Sequence, residues 1–505
     1  MTRPVTEFED IQGVIHSGYG RLNEATFLLL RITDAAAART WIRGIAGEAA
    51  RRVTTVADLR GGHQDNALNI AFTAPGLRSL GIQDAILGAF SREFHDGMAS
   101  AEARYEGRPR RLGDVGENAP DNWSWGAGAY VPDVLLMLYG QQDSFATFAD
   151  QVKGDIAAGF AIAKEFRTSY KTVGDKDRVE HFGFIDGISQ PEIDWSGNRN
   201  PGERDELEYG NLIAPGEIIL GYRNEYGLYE DRPLPGPDDD PTGILAQSED
   251  APGRRDLARN GSYLVFRQLR QDVEGFWRFV TAHGGSDLAE AMVGRRLGSG
   301  DPLVARVTAR ISGVGPDPTD IRRNGFTFDA DPDGLSCPFG AHIRRANPRT
   351  ADMPGGQQGF VSYALRMLGF KQDGPREDLI SAARFHRIIR RGRAYGSFSE
   401  PGQARGSEAE RGLHFICLNA SISRQFEFIQ NAWLANATFN GLSGEADPLL
   451  GNRLDFPEGH PTARFTLPQE AGPCRRVTGL PQFVTVRGGA YFFLPGRRAL
   501  RFFGQ

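Results

Sequence analysis

Four times along the chain an apolar, strand-like run is followed by a short polar break and then by a helix-like segment carrying aromatics. TFLLLRITD (26–34) leads into AAAARTWIRGIAGEAARR, and VPDVLLMLYG (131–140) into QQDSFATFADQVKGDIA. GSYLVFRQLRQD (261–272) leads into VEGFWRFVTAHGG, and GLHFICLNAS (412–421) into ISRQFEFIQNAWLA. The runs are rich in Leu, Val, Ile, Phe and Tyr, which suit a pleated buried surface, and the segments after them repeat apolar residues at about 3.6-residue spacing. NALNIAFTA (66–74) adds another strand. Two strand–helix units in each half predict a duplicated α+β chain with helices packed on antiparallel sheets.

Between the halves run NRNPGERDELEYG, EDRPLPGPDDDPTG and EDAPGRRD, whose Gly, Pro and Asp content reads as loop rather than core. The boundary is therefore placed near residue 225, separating an N-terminal unit, 1–225, from a C-terminal unit, 226–505. A second polar loop, SFSEPGQARGSEAERG (397–412), precedes the fourth strand.

A chain of 505 residues, 40% hydrophobic and 24% charged, has room for a core that encloses a bulky cofactor. The net charge of −6, with no basic stripe, argues against a nucleic-acid partner. No basic start followed by an apolar run reads as a secretory signal, and no apolar stretch has the length of a bilayer span. Three widely spaced cysteines (Cys337, Cys417, Cys474) suit a reducing compartment better than a disulfide framework. The expectation is a soluble cytoplasmic protein with no membrane partner.

Several chemistries are excluded by their missing motifs: no GxxxxGK[ST], no GxGxxG opening a helix, no HExxH, no CxxC and no GxSxG. CxxCH is also absent, so any haem would be held without thioether bonds.

Three segments remain. In HFGFIDGISQPEI (181–193), Asp186 stands in an aromatic–aliphatic run between Gly183 and Gly187, whose lack of a side chain lets backbone approach a flat ligand. The competing reading is a turn in which the Asp bonds its own backbone. In LSCPFGAHIRRANPRT (335–350), His342 is followed by Arg344, Arg345 and Arg349. A histidine ligates iron through one ring nitrogen when the other is fixed by a hydrogen bond, and arginines match the carboxylates of haem propionates. A core histidine with basic surface neighbours is the plainer alternative. In RFHRIIRRGRAYGS (384–397), Arg390 follows two isoleucines at a candidate strand end, where an inward guanidinium needs an anionic or peroxide-binding partner; a solvated basic loop competes.

In order and character the three resemble the signature of the dye-decolorising peroxidases: a GxxDG acid, a histidine in CPFxAHIR, then an arginine. The likeness extends to DIQGVI near the start, NGSYLVFRQLRQD in the middle and DPLLG near the end. The resemblance implies two ferredoxin-like domains with antiparallel sheets and peripheral helices. It implies one non-covalent haem b per chain, in a cavity between the halves or within the C-terminal one. It also implies a reaction in which hydrogen peroxide oxidises dyes, phenolics and other small donors through a ferryl state. His342 matches the iron ligand, Asp186 the distal acid and Arg390 the distal arginine. Arg387 and Arg391 are the neighbours to consider if the register differs, and an inserted segment (353–378) accounts for the long spacing from His342 to Arg390. Arg344 and Arg349 match positions facing the propionates, and Phe415 a distal wall. Asp447 in EADPLLG is favoured as the acid orienting His342, with Glu427 in QFEFIQ as the alternative.

An aspartate as proton carrier predicts activity that persists into acid solution, because an unperturbed Asp titrates near ~3.9. The resemblance also implies that bulky dyes are oxidised at the surface, with Trp277, Trp433 and Tyr395 as candidate relays and ordinary core aromatics as the competing reading. The competing functional readings are a haem carrier or sensor without turnover, a chlorite-degrading haem protein and a non-haem binding module. The oligomeric state is open between monomer and homodimer.

Overall fold

A computed structural model describes residues 6–47, 52–62, 64–100, 107–169, 179–196, 211–304, 323–328, 330–349, 383–398, 410–453 and 462–505. The stretches 198–210 and 353–378, and most of the loop 397–412, lie outside the described residues.

Each of the four sequence units forms its strand followed by a helical segment. In the first half β1 (Glu24–Ile32), β2 (Asn66–Phe72), β3 (Val134–Gly140) and β4 (Phe160–Ser169) pair antiparallel in the order β2–β3–β1–β4. Helix α1 (Ala35–Ala46) follows β1, and α2 (Gln142–Ile156) joins β3 to β4. The second half repeats the plan with β5 (Ser262–Gln271), β6 (Ile389–Arg390), β7 (Arg393–Tyr395), β8 (Gly412–Asn419) and β9 (Val484–Leu494). Its order is β6–β8–β5–β9, with β7 also on β8, and α3 (Val273–His283) and α4 (Gly285–Val293) follow β5. In both halves the first strand lies between the third and the fourth, the ferredoxin-like arrangement of an α+β fold. A Phe493–Phe72 pair joins β9 to β2, so the half-sheets form one nine-stranded sheet. Residues 211–260, which straddle the proposed boundary near 225, contribute only two-residue strands and short 3₁₀ turns.

The continuous apolar runs follow from a sheet buried on both faces, where successive side chains point to opposite sides. Leu28, Leu30, Leu68, Ile70, Leu136 and Leu138 pack with Ile42 and Ile45 of α1 and Val152 and Ile156 of α2. Their neighbours Phe27, Leu29, Leu135, Met137 and Tyr139 pack with Ile11, Val14, Ile15 and Tyr19 near the start of the chain.

In two of the four units the polar break after the strand is the cap of its helix. Asp34 accepts hydrogen bonds from the Ala36 and Ala37 amides at 2.8 and 3.0 Å, and Asp272 accepts one from the Gly275 amide at 2.9 Å. An N-cap carboxylate satisfies amides that have no partner within the helix. Replacing either aspartate with Ala is expected to destabilise the protein by about 1 kcal/mol. The check is the denaturation midpoint in urea, and an unmoved midpoint for both variants would count against the caps.

Two strands do not stand out in the sequence. β4, FAIAKEFRTS, mixes Lys, Glu and Arg into an edge strand with an exposed stretch. β9 carries two adjacent glycines, which usually argue against a strand interior. Gly488 is required there because a Cβ would run into the indole of Trp125. The fourth helical segment also differs from expectation: Ile422–Glu427 and Ile429–Leu434 are π-helical, a wider winding often found beside functional sites. Among the described residues, no helix is long and apolar enough to cross a membrane.

Candidate active site

A cavity with about 1870 Å³ of empty space, counted out to its open mouth, lies on the C-terminal half-sheet. The period of two along strands supplies its floor: Arg267, Leu269 and Gln271 from β5, Leu413 and Phe415 from β8, and Val484 and Val486 from β9. Phe426, Ile429, Trp433 and Leu434 of the π-helical segment also line it, as do Asp114, Asn118 and the 180–191 loop of the N-terminal half. His342, Asp186, Arg390 and Phe415 all face this space, so four candidates far apart in sequence meet at one site.

His342 opens helix α5 (His342–Ala346), and its side chain is 25% exposed. Its Nδ1 lies 2.9 Å from Oδ2 of Asp447, which is fully buried. A carboxylate only accepts, so Nδ1 carries the proton and Nε2 presents its lone pair. Asp447 is locked in turn, its Oδ1 accepting from the amides of Leu449 and Leu450 at 2.9 and 2.8 Å. Burial pushes the Asp447 pKa up, but the His342 ring, the Leu450 amide and Arg345 outweigh it and hold the carboxyl below its usual value. Arg345, fully buried, fastens α5 to the Asp447 segment by donating to the carbonyls of Trp433 (2.7 Å), Asn436 (3.0 Å) and Glu445. Glu427 does not reach His342; it accepts from the Tyr491 hydroxyl at 2.8 Å and pairs with Arg108 at 3.1 Å.

Asp186 sits in a loop shaped by Gly183 and Gly187, whose φ values of 100° and 80° lie where other residues are strained. Those glycines therefore serve the turn, and a Cβ at Gly187 would meet nothing. Asp186 Oδ1 accepts from the Gly187 amide and from Arg390 Nη1, each at 2.6 Å. Arg390 stands on β6 at the sheet edge, opposite Cys417 of β8. Gln190 fastens this edge to the Asp186 loop by accepting from the Arg390 amide (2.8 Å) and donating to its carbonyl (3.2 Å). Sequence reasoning missed Gln190, although it lies inside the HFGFIDGISQPEI segment.

The expectation for Arg344 and Arg349 needs correction, for neither lines the cavity. Arg344 turns back to Asp331 (3.0 Å) and the Cys337 carbonyl (2.6 Å), covered by Phe328 and Phe339. Arg349 donates to the Phe326 carbonyl at 2.9 Å and to Asn324, over the Phe326 ring. Arg344, on α5, and Arg349, beyond its end, thus brace the loops that carry Asp331 and Asn324. The basic groups that do face the cavity, besides Arg390, are Arg267, Arg295, His386 and Arg387. Arg267 is paired with buried Asp114. Arg391 bonds the carbonyls of Val14 and Ile15, each at 2.8 Å. Of the aromatic candidates, Trp433 is buried against the cavity, Trp277 packs edge-on against Phe276, and Tyr395 donates from its hydroxyl to Glu410 at 2.9 Å.

These residues fit a haem. The wall is largely apolar, one imidazole offers a single lone pair with its other nitrogen fixed, and Arg295 lines the wall with no carboxylate partner among the described residues. Among the described residues no cluster of three His, Cys, Asp or Glu side chains offers a bare metal ion a site.

Glu180, buried in the cavity wall, also escaped sequence reasoning. Burial pushes its pKa from near 4.5 up to about 7, against hydrogen bonds from the Phe182 and Phe184 amides and Gln271. The folded protein then binds a proton between these values that the unfolded chain has released, so ionising Glu180 costs stability as pH rises through that window. Glu180→Gln is expected to flatten the fall in stability from about pH 4.5 to 7. Thermal unfolding across this range tests it, and parallel curves for the two proteins would refute it.

No family model matches the chain. A dye-decolorizing peroxidase of Mycetinis scorodonius, msp1, is 29% identical over 521 residues, spanning 97% of this chain and 86% of the relative. The multifunctional dye peroxidase DyP2 of an Amycolatopsis species is 28% identical over 520 residues, spanning 98% of this chain and 96% of the relative. Among solved structures, a fungal DyP-type peroxidase from Auricularia auricula-judae matches with a TM-score of 0.71 at 24% identity. That match covers 99% of this chain and 100% of the other.

Proposed function

We propose that this chain, which belongs with the dye-decolorising peroxidases over nearly its whole length, is a haem-dependent peroxidase that reduces hydrogen peroxide and oxidises dyes, phenolics and other small organic donors. The observation that carries the reading is the Asp186–Arg390 pair facing the same cavity as His342, whose ring Asp447 holds from behind. Simple cofactor carriage needs His342 and Asp447 but has no use for a cavity-facing acid held by a guanidinium. The reading takes one non-covalent haem b per chain, in a cytoplasmic protein.

His342 Nε2 would hold the iron, while Asp447 fixes the tautomer and makes the ring a stronger donor. The bound haem supplies redox chemistry, accepting oxidising equivalents from peroxide and passing them to donors one electron at a time. Asp186 moves the proton. Its Oδ1 is engaged by Gly187 and Arg390, whereas Oδ2 has no hydrogen bond to any described residue, so Oδ2 takes a proton from one peroxide oxygen and gives it to the other. Arg390 keeps Asp186 in place and offsets negative charge on the departing oxygen.

The test is the absorption spectrum of the chain expressed with haem, followed in stopped flow after one equivalent of hydrogen peroxide. A rapid spectral change that a phenolic donor reverses is expected. A haem spectrum that peroxide leaves unchanged would reduce the protein to a haem carrier or sensor.

A further inference from the structure

Arg295 follows the C-terminus of α4, is only 4% exposed and lines the cavity. All its hydrogen-bond partners are neutral: Nη1 donates to the carbonyls of Gly300 (2.7 Å) and Arg323 (3.0 Å), and Nη2 to the Ser189 hydroxyl (2.6 Å). A guanidinium has five N–H donors, so Nε and one hydrogen of Nη2 make no hydrogen bond to a described residue. No carboxylate pairs with it among the described residues. Its charged neighbours make matters worse: burial, then Arg349 and Arg390, pull its pKa down to about 9. A buried cation that faces a cavity among other cations, with donors to spare, is a site awaiting an anion.

Its position says which anion. Ser189 ties Arg295 to the Asp186 loop, three residues from the acid. On the other side its guanidinium lies 5.4 Å from the centre of the Phe326 ring, and the preceding Gly294 packs against Ile343, next to His342. The Gly294–Arg295 turn thus lies between the loop that carries the acid, which Arg295 touches through Ser189, and the helix of His342, which Gly294 packs against. A planar ligand held between those two elements would reach Arg295 with its rim, and the anionic groups on the rim of haem b are its propionates.

We propose that Arg295 is the carboxylate anchor of the cavity, binding one haem propionate through its Nε and Nη2 donors. The inference rests on the haem reading above and replaces the propionate role expected of Arg344 and Arg349. The fork of donors matches a carboxylate in two parallel hydrogen bonds, which a lysine cannot reproduce. Ser189 is a positioning residue, holding the guanidinium toward the edge of the ligand.

The experiment is a binding cycle on the full chain prepared without haem, titrated with haem and with haem dimethyl ester and followed by the Soret band. The ester keeps the iron and the ring but has no carboxylate charge. The native protein is expected to bind haem about tenfold to a hundredfold more tightly than the ester, the size of a charge-assisted hydrogen-bond pair. In Arg295→Leu that preference should collapse through weaker haem binding with the ester little changed, and Arg295→Lys should restore part of it. A native protein that binds both alike, or a leucine variant that keeps the full preference, would overturn the anchor. Should Arg295→Leu fail to fold, the comparison of haem with ester on the native chain and on Arg295→Lys still decides. A native chain that takes up neither would instead overturn the haem reading itself.

Discussion

Asp186→Asn is expected to slow the reaction with hydrogen peroxide by about 10²–10⁴-fold while leaving haem uptake intact, the range associated with losing a positioned proton carrier. The substitution isolates the proton because Asn keeps the shape and one oxygen. That oxygen can still accept from the Gly187 amide and Arg390 Nη1, both 2.6 Å from Oδ1 in the native protein. What disappears is the basic Oδ2. Arg390→Leu removes the partner instead, and a fall of about 10²–10³-fold is expected, as for a lost donor to developing charge. The double variant should fall by less than the product of the two, because the groups touch and act on one substrate. Single-turnover mixing of the haem-loaded protein with peroxide reads these rates directly. An asparagine variant that reacts at the native rate would remove Asp186 from the mechanism. One that fails to bind haem would mark it as structural.

The sequence carried most of this arrangement in two kinds of signal. Apolar runs long enough to be buried on both faces marked β1, β3, β5 and β8, and the aspartates ending two of them, Asp34 and Asp272, marked where helices begin. Short segments with chemistry out of place marked Asp186, His342 and Arg390. The signals failed where tertiary contact overrides local preference. β9 was hidden because Gly488 and Gly489 weaken a strand signal, yet the indole of Trp125 leaves no room for a side chain. β4 was hidden because an edge strand tolerates charge. Arg344 and Arg349 misled for a related reason. Their sequence distance from His342 says they are near the site, but only the path of α5 and its flanking loops says that they point behind it, to Asp331 and Asn324. Arg295 and Gln190 carried no signal of their own, since each acquires its role from a contact across the fold, with Ser189 or with the Arg390 backbone.

Asp447→Asn is expected to weaken haem binding by about 10–100-fold and to raise the reduction potential of the bound iron. The native carboxylate accepts on both oxygens, from His342 on one and from the Leu449 and Leu450 amides on the other. An asparagine cannot do the same. With its oxygen toward Leu449 and Leu450, its NH₂ group faces the proton on His342 Nδ1; flipped, the NH₂ group faces two backbone amides. Either way a donor meets a donor in a fully buried site, and the ring loses the partner that fixes its tautomer. The buried charge also matters to Arg345 and Arg453, whose pKa values Asp447 supports. Its removal leaves two buried guanidinium groups with less compensation, so some loss of stability should accompany the loss of affinity. Glu427→Gln is the control, because Glu427 faces Tyr491 and Arg108 and should leave the potential where it was. Haem transfer to an excess of a competing apoprotein measures the affinity, and spectroelectrochemistry the potential. If Asp447→Asn kept both at their native values, Asp447 would not be the acid that orients His342.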